Sequence, residues 1–166
     1  DDLMIDAVVT PIDGAGGILG SAGPCRIRNT GRLPFYGVMK FDSADVAALE
    51  GAGLLQSTIL HEMGHVLGLG TLWTAPLFTG AGTSNPVFNG LAAGGVWQSF
   101  GGSGSVPVEN TGGSGTRDAH WRESTFDNEL MTGWLDSGSN PLSRLTVAAL
   151  GDLGYLVDLA ASDPYG

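Results

Sequence analysis

The sequence predicts an α+β fold, in which a strand-rich first part is followed by helices. Apolar and β-branched runs over residues 3–10 and 34–41 predict two strands, and the glycine cluster at 13–17 predicts a turn after the first. Residues 54–67 carry apolar side chains at helical spacing, and residues 142–153 repeat that pattern near the end of the chain. Strands that precede helices along a chain are typical of α+β domains.

A short helix is expected between the strands and the helix over 54–67. Ser43 can cap its N-terminus, residues 43–50 are good helix formers, and Gly51 and Gly53 follow as terminating residues. The next helix would then begin directly afterwards, at Leu54.

The helix over residues 54–67 has two distinct faces. At about 100° per residue, one arc that should face the core collects the apolar side chains of Leu55, Ile59, Leu60, Met63, Val66 and Leu67. His61, Glu62 and His65 lie outside this arc, so their side chains are expected on the face turned away from the core. Gly68 is expected to end the helix in a left-handed turn that redirects the chain.

Length and composition limit the class of protein. With 166 residues and 42% hydrophobic side chains, the chain is expected to form one folded domain in spite of its 28 glycines. It contains no run of about 18 apolar residues that would predict a transmembrane helix. Cys25 is the single cysteine, which excludes an intramolecular disulfide and a cysteine-rich zinc site.

The charge balance argues against two classes of partner. Seventeen Asp and Glu against seven Lys and Arg give a formal net charge of −10. Because phosphate backbones and anionic bilayers attract clustered cations, we expect neither nucleic acid nor a membrane as a partner.

Residues 71–116 show no persistent periodicity. Glycine and serine recur there, most densely over residues 101–105 and 112–115. We expect a long loop with little secondary structure of its own, and loops of this length inside a domain are usually functional.

The segment His61-Glu-Met-Gly-His65 is an H-E-x-x-H motif on a predicted helix. Two imidazoles four residues apart project side by side and can bind one Zn²⁺ at about 2.0–2.1 Å. Glu62 is next to this pair, where it can take a proton from a water molecule that the metal activates. Two histidines on a solvated helix face are the simpler alternative, and the helical context weighs against it.

A third metal ligand must come from elsewhere in the chain, because catalytic zinc usually has three protein ligands and one open position. The chain has one further histidine, His120. If all three ligands are imidazoles, His120 is the third. If the third ligand is a carboxylate, Glu123 and Glu129 are the candidates, in a gluzincin-like zinc hydrolase.

Two groups of residues carry a resemblance to a known family. His61-Glu-Met-Gly-His-Val-Leu-Gly68 resembles the metzincin metalloprotease signature, although Thr71 stands where most metzincins have the third histidine. His120-Trp-Arg-Glu and Glu129-Leu-Met-Thr-Gly are similar to the leishmanolysin-like branch, in which a long insert precedes the third histidine.

This resemblance implies a zinc endopeptidase that hydrolyses peptide bonds in protein or peptide substrates. It implies His61, His65 and His120 as the zinc ligands and Glu62 as the general base. It also implies that Met131 forms the Met-turn of the family, with an ordinary core methionine as the alternative. Proteases of this kind usually work outside the cytoplasm, so secretion is expected.

The resemblance further implies one metzincin-like catalytic domain over residues 1–166. Residues 1–70 would hold a twisted, mostly parallel or mixed sheet and the active-site helix. Residues 71–166 would hold the insert, the third ligand, the Met-turn and a closing helix that residues 142–155 resemble. The first strand and long backing helix with which metzincins begin are expected to be lacking, since only the short helix over 43–50 precedes the active-site helix.

A calcium site is expected at the glycine-rich turn. Residues 13–24 resemble the calcium-binding surface loop of matrix metalloproteases, and Asp13 with backbone carbonyls could supply oxygen ligands. Ser21 stands where those proteases have a structural-zinc histidine, so no second zinc is expected. A plain glycine turn is the alternative.

Two segments are candidates for binding a substrate. The strand that contains Val38 and Met39 could form a sheet edge against which an extended peptide pairs, with an internal strand as the alternative. Trp134 and Leu135 follow Met131 and could wall a pocket for the side chain after the scissile bond.

A noncatalytic extracellular binding module with a structural zinc is the competing class of function. Glu62 beside the metal-binding pair weighs against it, because a purely structural site gains little from a base there.

Overall fold

The computed structural model describes residues 2–165, which divide into two units, one ending at Thr71 and the other beginning at Leu72. Each unit has its own sheet and its own helices, so the predicted α+β class is confirmed. Within residues 2–165, every helix is too short or too polar to cross a bilayer.

The first unit is a three-stranded sheet with two helices. Its elements are β1 (Met4–Thr10), β2 (Gly20–Ile27), β3 (Pro34–Asp42), α1 (Val46–Ala52) and α2 (Leu55–Leu67). β3 lies between the other two strands, parallel to β1 and antiparallel to β2. The sheet is therefore mixed, and both strands predicted in this part of the sequence are present.

β3 is an internal strand. Val38 pairs with Asp6 of β1 on one side and with Gly23 of β2 on the other, and Met39 is paired on both sides in the same way. The side chain of Met39 is 6% exposed and packs in the core with Phe41. The prediction that Val38 and Met39 lie at a free sheet edge is therefore wrong, because the backbone of β3 is already paired on both sides.

β2 is not predicted from the sequence, and its first residues belong to the segment 13–24 that is interpreted above as a calcium-binding loop or a glycine turn. The reason for glycine here is the close approach of α2 to the sheet. A Cβ on Gly20 would lie 2.7 Å from Oε1 of Glu62, and a Cβ on Gly37 of β3 would overlap the side chain of Val66. Glycine at these positions makes room for the helix and does not interrupt the strands.

The ends of α1 and α2 lie at glycines that the sequence identifies, whereas the start of α1 differs from the prediction. α1 starts after Asp45 and not at Ser43, because the amide of Asp45 closes a turn on the carbonyl of Asp42 at 3.1 Å. α2 ends as predicted, with Gly68 in the left-handed region at φ 115°. There the amide of Gly68 donates to the carbonyl of His65 at 3.1 Å.

Asp42, at the end of β3, organises the loop that follows β1. Its carboxylate oxygen Oδ2 accepts hydrogen bonds from the amides of Ile12, Asp13 and Gly14 at 2.8–3.1 Å. Its Oδ1 accepts a bond from the amide of Ala44 at 2.9 Å. These amide donors, led by Ala44, lower the pKa of Asp42 below its ordinary value of 3.8.

Replacing Asp42 with Asn is expected to destabilise the first unit at neutral pH. Asn turns an NH₂ group towards amide donors that need an acceptor. Because the folded pKa is lowered, the stabilisation is complete above the ordinary value of 3.8 and is lost as the pH falls through the folded pKa. Denaturant unfolding at pH 7 and pH 2.5 measures this, with the exposed Asp2→Asn as the matched variant. If Asp42→Asn lowered the free energy of unfolding by the same amount at both pH values, the result would contradict this account.

The second unit contains more secondary structure than its sequence indicates. Its elements are β4 (Phe78–Thr79), β5 (Val87–Phe88), α3 (Leu91–Ser99), β6 (Val106–Pro107), α4 (Glu123–Phe126), α5 (Arg144–Leu153) and a 3-10 turn (Leu159–Ala161). The three strands pair antiparallel in the order β4-β5-β6. The expectation of little secondary structure over residues 71–116 is therefore wrong. Two-residue strands are too short to show alternation, and Gly94 and Gly95 weaken the helical signal of α3.

An aromatic cluster forms the core of the second unit. Trp121 is fully buried, with its ring centroid 4.8 Å from that of Trp73 and 5.7 Å from that of Phe88. Its backbone forms isolated bridges to Val108 and to Thr132. Trp121 therefore fixes the chain directly after His120.

α5 agrees with the helix predicted near the end of the chain. Ser143 caps its N-terminus by accepting a bond from the amide of Thr146, and Gly154 ends it in the left-handed region at φ 110°. Leu145 and Ala149 are fully buried, so the apolar side of α5 faces the core as predicted.

Candidate metal centre

α2 brings two imidazoles together. His61 and His65 are one helical turn apart, and their Nε2 atoms lie 3.0 Å from each other. Two nitrogens bound to one tetrahedral zinc are about 3.3 Å apart. The spacing of the motif therefore yields a pair of ligand atoms close to the separation that a single metal requires.

The ring of His65 is held in the orientation of a metal ligand. Its Nδ1–H donates to the carbonyl of Leu69 at 2.8 Å, beyond the left-handed turn at Gly68. A carbonyl only accepts, so the hydrogen of the neutral ring is on Nδ1 and the lone pair is on Nε2. Burial lowers the pKa of His65, which favours the neutral form that binds metals.

Glu62 is buried beside the two histidines. Its side chain is 5% exposed, and Oε2 has no hydrogen-bond partner among residues 2–165. Burial raises its pKa from 4.5 to about 7. Gly20 of β2 comes close to the other carboxylate oxygen, as described above.

The motif face of α2 is therefore not turned away from the protein. Glu62 and His65 are buried, whereas Leu60, assigned by periodicity to the core arc, is 40% exposed. β2 packs against this helix, and its position is not predicted by the helical wheel. The predicted orientation is wrong for these side chains, although the predicted helix is confirmed.

In the second unit, His120 is held in the same manner as His65. It is 6% exposed, and its Nδ1–H donates to the carbonyl of Thr116 at 2.9 Å. Its own carbonyl accepts a bond from the amide of Glu109 at 2.8 Å. The neutral ring therefore also presents Nε2 as the atom with a lone pair.

The histidines meet the donor requirement of a metal site. His61 and His65 in the first unit and His120 in the second are a candidate set of metal ligands. Three imidazoles are a common protein ligand set for catalytic zinc. The buried, unpaired oxygen of Glu62 next to this set is suited to receive a hydrogen bond from a water molecule. The residues present therefore fit a zinc ion.

Met131 lies in a tight turn. The amide of Thr132 donates to the carbonyl of Glu129 at 3.1 Å, which closes the turn, and Met131 is 2% exposed within it. The buried turn is compatible with the role that the family resemblance implies for this residue.

The carboxylate candidates for the third ligand have other surroundings. Glu129 is fully buried, and its two oxygens already accept four hydrogen bonds from its own unit. Glu123 belongs to a group of three carboxylates with Asp127 and Asp136, in which burial and the neighbouring acids raise its pKa. This group was not expected, because its members are scattered along the sequence without a recognisable spacing.

The remaining candidate residues lie outside the histidine group. Asp13 accepts hydrogen bonds from the amide of Ile18 at 3.0 and 3.2 Å, and nearby amides are bound by Asp42 and Asp45. Asp13 is in neither of the groups of possible metal ligands found within residues 2–165, so a calcium site there has no support. Trp134 is 46% exposed, and its role in a substrate pocket, like that of Leu135, stays a prediction.

Comparison with known proteins supports the sequence resemblance over the second part of the chain. The family model for leishmanolysin, peptidase family M8, matches residues 97–163. This segment includes His120 and Met131. It does not include the motif at residues 61–65, so the family match and the motif are separate observations. The comparison with curated proteins finds no match. The predicted similarity to leishmanolysin is therefore confirmed for residues 97–163.

Proposed function

We propose that this leishmanolysin-like chain is a zinc-dependent endopeptidase. The observation that carries the proposal is the pair of imidazoles of His61 and His65 on α2 beside the buried carboxylate of Glu62, with His120 as the candidate third ligand. The family match supports a peptidase independently, because it covers residues 97–163 and does not depend on the helix motif.

In the proposed site, His61, His65 and His120 would hold the metal. The bonds from Nδ1–H of His65 to Leu69 and of His120 to Thr116 keep two of the rings in the required tautomer. Zinc, when bound, supplies a Lewis acid that polarises the scissile carbonyl and makes water acidic enough to react near neutral pH.

Glu62 is proposed as the proton carrier. Its carboxylate takes one proton from the attacking water, the oxygen of which bonds to the carbonyl carbon of the substrate. The carboxylic acid then returns the proton to the amine nitrogen as the carbon–nitrogen bond breaks. In the metal-free chain, burial raises the pKa of this carboxyl group to about 7, so the protonated form that returns the proton is accessible near neutral pH.

We further propose that the substrates are proteins or peptides and that the chain acts outside the cytoplasm. Both proposals rest on the similarity to leishmanolysin. Nothing in the net charge of −10 favours nucleic acid as an alternative substrate.

Cleavage of a quenched fluorescent peptide library, with and without a chelator, tests the proposal. We expect hydrolysis by the purified chain, loss of hydrolysis in 1,10-phenanthroline, and recovery when zinc is added back. Tight zinc binding without cleavage of any peptide or unfolded protein would instead favour the noncatalytic zinc module. Cleavage that survives metal removal would exclude the zinc mechanism.

A further inference from the structure

A carboxylate lies at the centre of the second unit without being part of the histidine group. Glu129 is 0% exposed. Its Oε2 accepts a hydrogen bond from the amide of Met131 at 2.6 Å. Its Oε1 accepts bonds from the hydroxyl of Ser143 at 2.6 Å and of Thr146 at 2.5 Å, and from the amide of Ser143 at 3.2 Å.

The directions of these bonds require a group that only accepts. The indole N–H of Trp121 donates to Oγ1 of Thr146 at 2.8 Å, so the hydroxyl hydrogen of Thr146 is directed at Glu129. Oγ of Ser143 accepts from the amide of Thr146 at the start of α5, so its hydrogen is also directed at Glu129. Four donors therefore converge on the carboxylate, and a glutamine would place an NH₂ group against at least one of them.

This network extends to the residue next to His120. Trp121 donates its indole N–H to Thr146 and its backbone amide to the carbonyl of Met131, at 2.8 and 2.9 Å. Both acceptor residues are themselves bound to Glu129. These bonds link the buried carboxylate of Glu129 to Trp121, the residue directly after His120.

We infer that Glu129 is a positioning residue for the third metal ligand, acting on His120 through Thr146, Trp121 and Met131. The inference rests on the proposed function in so far as His120 is a zinc ligand. Loss of a group that bonds directly to a metal ligand typically weakens metal binding by about 10–100-fold, and Glu129 is further from the ligand than such a group, so we expect an effect near the lower end of that range. Burial raises the pKa of Glu129, whereas its hydrogen bonds lower it. A positioning role would explain why a carboxylate that is costly to bury is present at this place.

Two substitutions at Thr146 test the inference with little change in shape. Thr146→Val removes the hydroxyl that links Trp121 to Glu129, and Thr146→Ser restores it. We expect zinc affinity, measured by competition with a chromophoric chelator, to fall about tenfold in the valine variant and to recover in the serine variant. Glu129→Gln should also lower zinc affinity. If that variant does not fold, the comparison of Thr146→Val with Thr146→Ser still tests the inference.

A second measurement needs no metal. In NMR spectra of the metal-free protein, the ring signals of His120 should shift in Thr146→Val, and the indole N–H of Trp121 should exchange faster with solvent. Thr146→Ser should return both towards the wild type. A folded Thr146→Val protein with unchanged His120 signals would overturn the inference, as would zinc affinity within twofold of the wild type. Failure of the wild type itself to bind zinc would refute the proposed function, and the His120 signals would still decide the positioning role.

Discussion

Replacing Glu62 with Gln is expected to remove most peptide hydrolysis while zinc remains bound. The amide cannot accept the proton that the attacking water must lose, and positioned acid–base groups contribute about 10²–10⁴-fold to such reactions. The proposed ligands His61, His65 and His120 are unchanged, so the zinc content should stay at one ion per chain. Turnover of a fluorescent peptide and metal analysis of the same preparation measure the two properties together.

The same substitution should make the metal-free protein more stable at alkaline pH. The folded pKa of Glu62 is raised to about 7, so wild-type folding loses stability as the pH rises from the ordinary value of 4.5 towards that pKa. Above it, the buried charge costs on the order of 3 kcal/mol, which glutamine does not incur. The stability contribution of Glu62 therefore falls as the pH rises, whereas that of Asp42, whose pKa is lowered, falls as the pH decreases.

A matched variant separates the role of Glu62 from a general effect of charge. Glu50 is an exposed residue of α1, so Glu50→Gln removes the same charge without touching the histidine group. We expect wild-type turnover and wild-type unfolding in that variant. Wild-type turnover in Glu62→Gln would remove Glu62 from the proposed mechanism.

The parts of the fold that could be predicted from sequence depend on contacts close in sequence. α2 follows from the spacing of its apolar residues, and its end follows from Gly68, whose left-handed conformation suits glycine. α5 is predicted for the same reasons, with Ser143 as its cap and Gly154 after its last turn. β1 and β3 are recognised because their residues are apolar and β-branched.

The parts that could not be predicted depend on contacts between distant residues. The glycines of β2 indicate turns when only neighbours in sequence are considered. Gly20 instead makes room for Glu62, 42 positions later, and no local pattern reports that approach. The same packing covers Glu62, and both Glu62 and His65 are buried, although a helical wheel alone assigns them to the face away from the core.

The histidine motif was predictable, whereas the groups that hold it were not. H-E-x-x-H has a fixed spacing on one helix, so its chemistry is visible in the sequence. The bonds from His65 to the carbonyl of Leu69 and from His120 to that of Thr116 involve backbone atoms, which carry no residue signature. The network of Glu129 joins side chains up to 25 positions apart, and its residue types alone do not indicate it.

Replacing His120 with Ala is expected to cost the chain its zinc and its activity. One of three proposed protein ligands is lost, so affinity should fall by more than the roughly 10–100-fold that loss of an outer-shell partner costs. Zinc binding raises the stability of the folded chain by mass action, about 2.7 kcal/mol at a concentration 100 times Kd. We therefore expect added zinc to raise the Tm of the wild type and to have little effect on His120→Ala.

Glu123 and Glu129, the alternative candidates for the third ligand, provide the control for the His120→Ala prediction. If Glu123 supplied the third ligand, Glu123→Gln would lose zinc and His120→Ala would keep it. We expect the reverse, because Glu123 lies with Asp127 and Asp136 and not in the histidine group, while the oxygens of Glu129 are already bound. A His120→Ala protein that retains one zinc and wild-type turnover would contradict the three-histidine site, and the proposed endopeptidase would then need a different third ligand.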